Sequence, residues 1–175
     1  RSEKDLGLPD LTKACLDNFT ETAKKGFFMM VEGGKIDWAA HAHDAATVVT
    51  ETIDFDQCIR LAYEFYKKHP DETLILVTAD HETGGLGLGN SGTNLNIELQ
   101  KYQQCSQEAL TNAMRKMKSA VAIPSWEEMI FFLKKKSKDI VSLYAKDEPL
   151  AVAAVALLDK KASIGWTTKS HTGAP

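Results

Sequence analysis

The order of hydrophobic and polar positions predicts helices and short buried strands in the first part of the chain. Apolar residues recur at four-residue spacing across residues 9–25, which predicts a helix with Pro9 in its first turn. Residues 26–31 (GFFMMV) form a short, fully apolar run, and residues 73–79 (TLILVTA) form a second, mainly apolar run, and each predicts a buried strand. The first part of the chain is therefore predicted to contain one helix and two strands of a sheet.

A helical segment separates the two predicted strands. Residues 54–68 carry apolar side chains on one side and polar side chains on the other, which predicts an amphipathic helix that ends before Pro70. A double glycine breaks the first strand, and alanine-rich residues 38–46 predict a further helix. Strand, helix and strand in this order predict an α/β fold with a mainly parallel sheet flanked by helices.

The segment from about 95 to 162 has a different character. It contains no glycine, and its pattern predicts helices over about 106–121, 125–135 and 148–159. Residues 163–170 then resemble a strand. On length alone we expect one domain, or two small ones at most, and we expect a helical insertion at about 95–162 to separate elements of the sheet.

Composition and charge narrow the class of protein. The chain has 175 residues, of which 43% are hydrophobic and 26% charged, as expected for a globular domain. A net charge of −3 argues against a nucleic-acid partner. The longest apolar run, residues 150–158, is far shorter than the roughly 20 residues of a membrane span, so none is expected. The first residues do not resemble a signal peptide, so we expect none in this chain.

Residues of the types that bind metals occur where strands end or helices begin. Asp37 and His41 lie four positions apart, so on a helix they share one face, and carboxylate with imidazole is a common partial ligand set for zinc. Glu32, at a strand end, could hold a harder ion such as magnesium. Asp80 and His81 directly follow the second predicted strand, at the edge where α/β sheets bind ligands.

His171 completes the candidate set, since it follows the last strand-like segment and precedes Thr172 and a glycine. Each group alone also fits a surface or hydrogen-bonded residue, but together in one α/β frame they indicate a metal site. His43 is two positions from His41, so we expect it to face solvent. Thr78 and Thr83 are candidate hydrogen-bond partners, and Trp38 fits either the core or a wall of the site.

The stretch VEGGKIDWAAHAHDA, followed by VTADHETGG and SHTG, resembles the alkaline phosphatase family in order, spacing and placement at strand ends. The resemblance covers roughly residues 26–90 and 163–175. It implies two zinc ions and one magnesium ion, with these ligands: Asp37, His41 and His171 for the first zinc, Asp80 and His81 for the second zinc, and Glu32 for magnesium.

The resemblance also implies the reaction. Members of the family hydrolyse small phosphate monoesters through a phosphoserine, and two zinc ions stabilise the attacking and leaving oxygens. Many members are exported homodimers, so the complete protein is expected to be periplasmic or extracellular. The nucleophile motif Asp-Ser-Ala is absent here, since none of the serines follows an aspartate. We therefore expect the chain to correspond to the C-terminal half of such an enzyme, without a catalytic nucleophile and without turnover alone.

Two other interpretations remain open from the sequence. A metal-dependent phosphodiesterase, a phosphonate hydrolase or a cofactor-independent phosphoglycerate mutase of the same superfamily would share the strand-end Asp-His pair and a two-metal site. A non-catalytic metal-binding or interaction module would use the histidines structurally and the helical insertion as a partner surface. Comparing the activity of the full-length protein on a phosphate monoester and on a phosphate diester distinguishes the first interpretation from a phosphatase. Zinc binding through Asp37, His41 and His171 distinguishes a phosphatase from a pure interaction module.

Overall fold

Helices make up most of the computed structural model, which describes residues 5–89, 94–120 and 149–172. The elements, in chain order, are α1 (Leu8–Thr22), α2 (Gly34–His41), α3 (Ala45–Lys68), β1 (Gly87–Leu88), a 3₁₀ helix (Ile97–Tyr102), α4 (Gln107–Ala120), α5 (Pro149–Lys161) and β2 (Ile164–Gly165). The predicted first helix is confirmed by α1, which has Pro9 in its first turn. Its start is fixed by Asp10, whose carboxylate accepts a hydrogen bond of 2.7 Å from the Gly7 amide.

The helix predicted over residues 38–46 is instead divided between α2 and α3. His43 has φ 55°, a left-handed conformation that no α-helix tolerates, and it separates the two helices. Asp44 then caps α3, because its Oδ1 accepts a hydrogen bond of 3.1 Å from the Thr47 amide. The amphipathic helix predicted over residues 54–68 is the second part of α3, and it ends at Lys68 as predicted.

The predicted parallel sheet is not confirmed. Residues 26–31 and 73–79 form no strand, and side chains predicted to be buried are largely exposed: Phe28 by 88%, Met30 by 77%, Leu74 by 82% and Leu76 by 81%. Among the described residues the sheet is an antiparallel pair, in which Gly87 lies opposite Gly165 and Leu88 opposite Ile164. The predicted burial was wrong because side chains of a parallel sheet are buried by elements packed on both faces, and within the described ranges these two segments neither pair with a strand nor have their apolar side chains covered.

The second half of the described chain is helical, as the sequence predicted. The expected helices over about 106–121 and 148–159 correspond to α4 and α5, while residues 125–135 lie outside the described residues. The strand-like segment 163–170 forms only the short β2 and continues as a loop. None of the helices that the structure describes has the length and apolar character needed to cross a bilayer.

A small core joins these helices to the loops that carry the candidate site. Ala45, Ala162 and Ile164 are buried together, with Leu99 and Trp166 packed against them. These residues come from the start of α3, the 3₁₀ helix and the segment around β2, so the core lies where the N-terminal and C-terminal parts of the chain meet. It therefore places residues 166–172 close to α2, which the sequence separates by more than a hundred positions.

Candidate metal centre

Three residues from separate segments meet at one point. Asp37 in α2, His81 in the loop before β1, and His171 after β2 each offer one ligand atom, and these atoms lie within 4.8 Å of one another. The His171 Nε2 atom is 3.5 Å from Oδ1 of Asp37, and the rings of His81 and His171 stack with centroids 3.5 Å apart. One carboxylate with two imidazoles is a donor set that suits a divalent ion such as zinc. The residues present therefore fit a metal centre.

Asp37 and His41 share one face of a helix, as their four-residue spacing predicted. Both lie on one face of α2, and the His41 Nε2 atom is 3.4 Å from Oδ1 of Asp37. The other ring nitrogen, Nδ1, donates a hydrogen bond of 2.7 Å to the Lys169 carbonyl oxygen, because a carbonyl can only accept. That bond places the lone pair of His41 on Nε2, the nitrogen beside Asp37, although His41 is not one of the three grouped residues.

Thr83 orients two members of the cluster. Its hydroxyl donates a hydrogen bond of 2.6 Å to Oδ1 of Asp37. The same oxygen lies 3.2 Å from Nδ1 of His81 and accepts a hydrogen bond from it, which places the lone pair of His81 on Nε2. The prediction that Thr83 is a hydrogen-bond partner is thus confirmed, whereas Thr78 donates to the carbonyl of its neighbour Ala79, outside the cluster.

The loop that carries His81 and Thr83 is tied to the segment that carries His171. The Gly84 carbonyl accepts hydrogen bonds from the amides of Thr167 (3.0 Å) and Thr168 (3.2 Å), and the Gly84 amide donates to the Ser170 carbonyl at 3.1 Å. Thr83 and His171 also form an isolated antiparallel bridge. These backbone bonds hold two candidate ligands in register with each other.

Glu82 forms a second connection between these two segments, which was not predicted from the sequence. Its Oε1 accepts a hydrogen bond of 2.7 Å from the Gly85 amide, and its Oε2 accepts one from the Thr172 hydroxyl. The bond from Thr172 is the main reason that the pKa of Glu82 is lowered. No spacing rule points to this role, because the partner residue is ninety positions away.

The expectation that His43 faces solvent was wrong. The side chain is half-buried, its Nε2 donates a hydrogen bond of 2.6 Å to the Thr168 carbonyl, and its ring stacks on Trp166 with centroids 4.8 Å apart. Burial lowers the pKa of His43. The left-handed backbone at His43 turns the ring towards residues 166–168, and helical spacing cannot anticipate such a turn.

The structure does not bring the remaining predicted ligands into this cluster. The Asp80 side chain is 86% exposed, and its Oδ2 lies 3.1 Å from Nε2 of His81. Glu32 is exposed in the segment just before α2 and is not among the three grouped residues. The Trp38 side chain is 71% exposed, which rules out its core alternative. The division of the ligands between two zinc ions and a magnesium ion stays a prediction.

Comparison with known proteins shows the family of the chain. The family profile described as Alkaline phosphatase matches residues 1–175. The chain is 34% identical to alkaline phosphatase 4 of Bacillus subtilis over 179 residues, which cover 99% of this chain and 38% of the relative. It is 42% identical over 87 residues to the streptomycin-6-phosphate phosphatase of Streptomyces griseus, covering 45% of this chain and 19% of that one.

A solved structure gives the same result in three dimensions. The crystal structure of a cold-active alkaline phosphatase from a psychrophilic Shewanella species superposes with a TM-score of 0.75 at 30% identity, covering 99% of this chain and 44% of the other. The chain belongs to the alkaline phosphatase family. It spans 38% of the length of the Bacillus subtilis relative, so it corresponds to part of such a protein.

Proposed function

We propose that the chain supplies the metal-binding part of an enzyme that hydrolyses phosphate monoesters. The observation that carries the proposal is the convergence of Asp37, His81 and His171 from three separate segments. Family membership supports the reaction, and the name of the Streptomyces griseus relative describes a phosphatase of one phosphate monoester. The complete protein is proposed to act as an exported homodimer, as the family resemblance implies.

The proposed ligands follow the family pattern onto this chain. Asp37, His41 and His171 would hold one zinc ion, Asp80 and His81 a second, and Glu32 a magnesium ion. A divalent ion held here would stabilise the negative charge that develops on the phosphoryl oxygens during transfer. The surrounding residues would serve that chemistry by orientation.

Orientation of the donor atoms is the contribution that the chain itself makes. Thr83 directs one oxygen of Asp37 and fixes the tautomer of His81, and the Lys169 carbonyl does the same for His41. Preformed donors of this kind lower the reorganisation needed when a metal ion and a phosphate bind. No serine follows an aspartate in this sequence, so the proposal places the nucleophile on polypeptide outside this chain.

Zinc content and phosphate binding test the proposal directly. The purified chain is dialysed against zinc beside Asp37→Ala and a control, Asp56→Ala, whose side chain is exposed on α3. We expect bound zinc in the parent and the control and a loss in Asp37→Ala. Inorganic phosphate should raise the unfolding temperature of the zinc-loaded parent but not of the zinc-free chain, because the ions provide the positive charge that binds it.

Three results would each contradict part of the proposal. Equal zinc content in Asp37→Ala and the parent would remove Asp37 from the centre and favour a non-catalytic module. Sustained, metal-dependent release of phosphate from an aryl phosphate by the purified chain would contradict the placement of the nucleophile elsewhere. Tight binding of a phosphate diester in preference to phosphate by the zinc-loaded chain would favour the phosphodiesterase alternative.

A further inference from the structure

Trp166 links the metal centre to a buried carboxyl group on α5. Its indole Nε1–H donates a hydrogen bond of 2.8 Å to Oδ2 of Asp159, which is 2% exposed. The other oxygen of Asp159 accepts a bond of 3.0 Å from the Gln100 side chain. The indole face lies nearly parallel to the His43 ring, at an interplanar angle of 5°. One hydrogen bond and one stacked neighbour therefore fix both the direction and the plane of the indole.

The same indole packs on the turn that carries the candidate ligands. A Cβ atom placed at Gly84 would lie 2.8 Å from Cε3 of Trp166 and 2.9 Å from the Ala40 carbonyl oxygen, so only glycine fits there. Gly84 has φ +86°, which also favours glycine. Since the backbone of Gly84 bonds to Thr167, Thr168 and Ser170, the indole contacts the turn at the point that organises the His171 segment.

The conformation of His43 supports the same interpretation. A left-handed backbone is unfavourable for a residue with a side chain, and it persists where the surroundings determine it. At His43 those surroundings are the stacked Trp166 ring and the bond to the Thr168 carbonyl. The contacts of Trp166 thus reach the His171 segment by two routes, through the Gly84 turn and through His43.

We propose that Trp166 is a positioning residue for the metal centre, which it serves by fixing the Gly84 turn and the adjoining segment with His171. Asp159 and His43 hold the indole at its edge and on its face. The inference rests on the proposed metal centre but adds residues outside the ligand set. It predicts that the shape of the centre depends on a side chain that need not bind the metal.

Cobalt(II) is the probe for this role, because its visible absorption reports both affinity and ligand geometry. The parent chain is compared with Trp166→Leu, Trp166→Phe and a control, Tyr102→Leu, which removes an aromatic ring that is 77% exposed. We expect Trp166→Leu to weaken cobalt binding at least about 10-fold, as loss of a ligand-orienting neighbour does, and to alter the absorption bands. Trp166→Phe keeps a ring to stack on His43 and should recover part of the affinity.

Each outcome decides between distinct claims. Parent-like cobalt affinity and absorption bands in Trp166→Leu would overturn the positioning role while leaving the metal centre intact. Should Trp166→Leu fail to fold, Trp166→Phe decides, because it keeps the ring on His43 but loses the bond to Asp159. Cobalt affinity below that of the parent in this folded variant supports the role, and affinity and absorption bands that both equal the parent's overturn it. A folded parent chain that binds no cobalt would overturn the metal centre itself, and this inference with it.

Discussion

The hydroxyl of Thr83 donates a hydrogen bond of 2.6 Å to Oδ1 of Asp37, across a sequence separation of 46 residues. This bond joins α2 to the loop that follows residues 73–79, and it orients the carboxylate towards His171. It is therefore the simplest direct link between the sequence motifs that the family resemblance identified.

Removal of this hydroxyl should weaken the centre without unfolding the chain. Thr83→Val keeps the shape but removes the donor, so we expect zinc affinity to fall about 10-fold. Thr83→Ser keeps the donor and should bind zinc within about 3-fold of the parent. Competition against a coloured zinc chelator measures both, and equal affinities for Thr83→Val and Thr83→Ser would show that the bond has no role in metal binding.

Asp44 should be among the residues on which stability depends most. The side chain is 1% exposed, and its two oxygens accept hydrogen bonds from the Thr47 amide and hydroxyl, the Gln103 side chain and the Gln107 amide. Asp44→Ala removes the cap of α3 and leaves buried donors without acceptors, so we expect a loss of about 3 kcal/mol of unfolding free energy.

Urea denaturation measures this loss against a matched control. Asp56→Ala removes an exposed aspartate from the same helix and should change the unfolding free energy by less than about 0.5 kcal/mol. A similar small change in Asp44→Ala would mean that the four hydrogen bonds contribute little, and that α3 does not depend on its cap.

The buried carboxyl of Asp159 should make stability depend on pH. Burial is the main cause that raises the pKa of Asp159 to about 6. The negative charge of Asp44 raises this pKa further, whereas the hydrogen bonds from Trp166 and Gln100 lower it. Because the folded pKa lies above the unfolded value, the folded state binds the extra proton. The contribution of Asp159 to the free energy of unfolding is therefore fully present below about pH 4 and is lost as the pH rises through about 6.

We expect the free energy of unfolding to decrease by about 1–3 kcal/mol between pH 4 and pH 7.5 because of Asp159. Asp159→Asn stays neutral throughout, so the difference in unfolding free energy between this variant and the parent should grow in favour of the variant as the pH rises. Urea titrations at several pH values measure it, and a difference that is constant with pH would contradict the prediction.

The exposed apolar segments should make the isolated chain associate. Leu74 and Leu76 are more than four-fifths exposed, and contiguous exposed apolar surface of this kind promotes association. The double variant Leu74→Ser, Leu76→Ser should bind less of a hydrophobic dye and elute later in gel filtration. Leu157→Ser, on α5 and 55% exposed, is the control. Equal elution of the parent and the double variant would show that these leucines do not mediate association.

The features that could be predicted from the sequence are those that depend on residues close to each other along the chain. The four-residue spacing placed Asp37 and His41 on one face of α2, and His69 with Pro70 ended α3 as expected. The sheet could not be judged in the same way, because apolar runs indicate a tendency to form strands but not the presence of neighbouring strands. His43 and Glu82 were missed for a related reason, since their roles depend on residues 168 and 172, more than eighty positions away.

A calorimetric zinc titration of the chain shows whether His171 helps to form a metal centre. It is run on the parent, on His171→Ala and on His69→Ala, where the control removes a histidine at the end of α3. We expect tight zinc binding by the parent and by His69→Ala, and affinity at least about 10-fold weaker in His171→Ala. Tight binding that survives in His171→Ala, or no tight binding in a folded parent, would contradict the proposed metal centre.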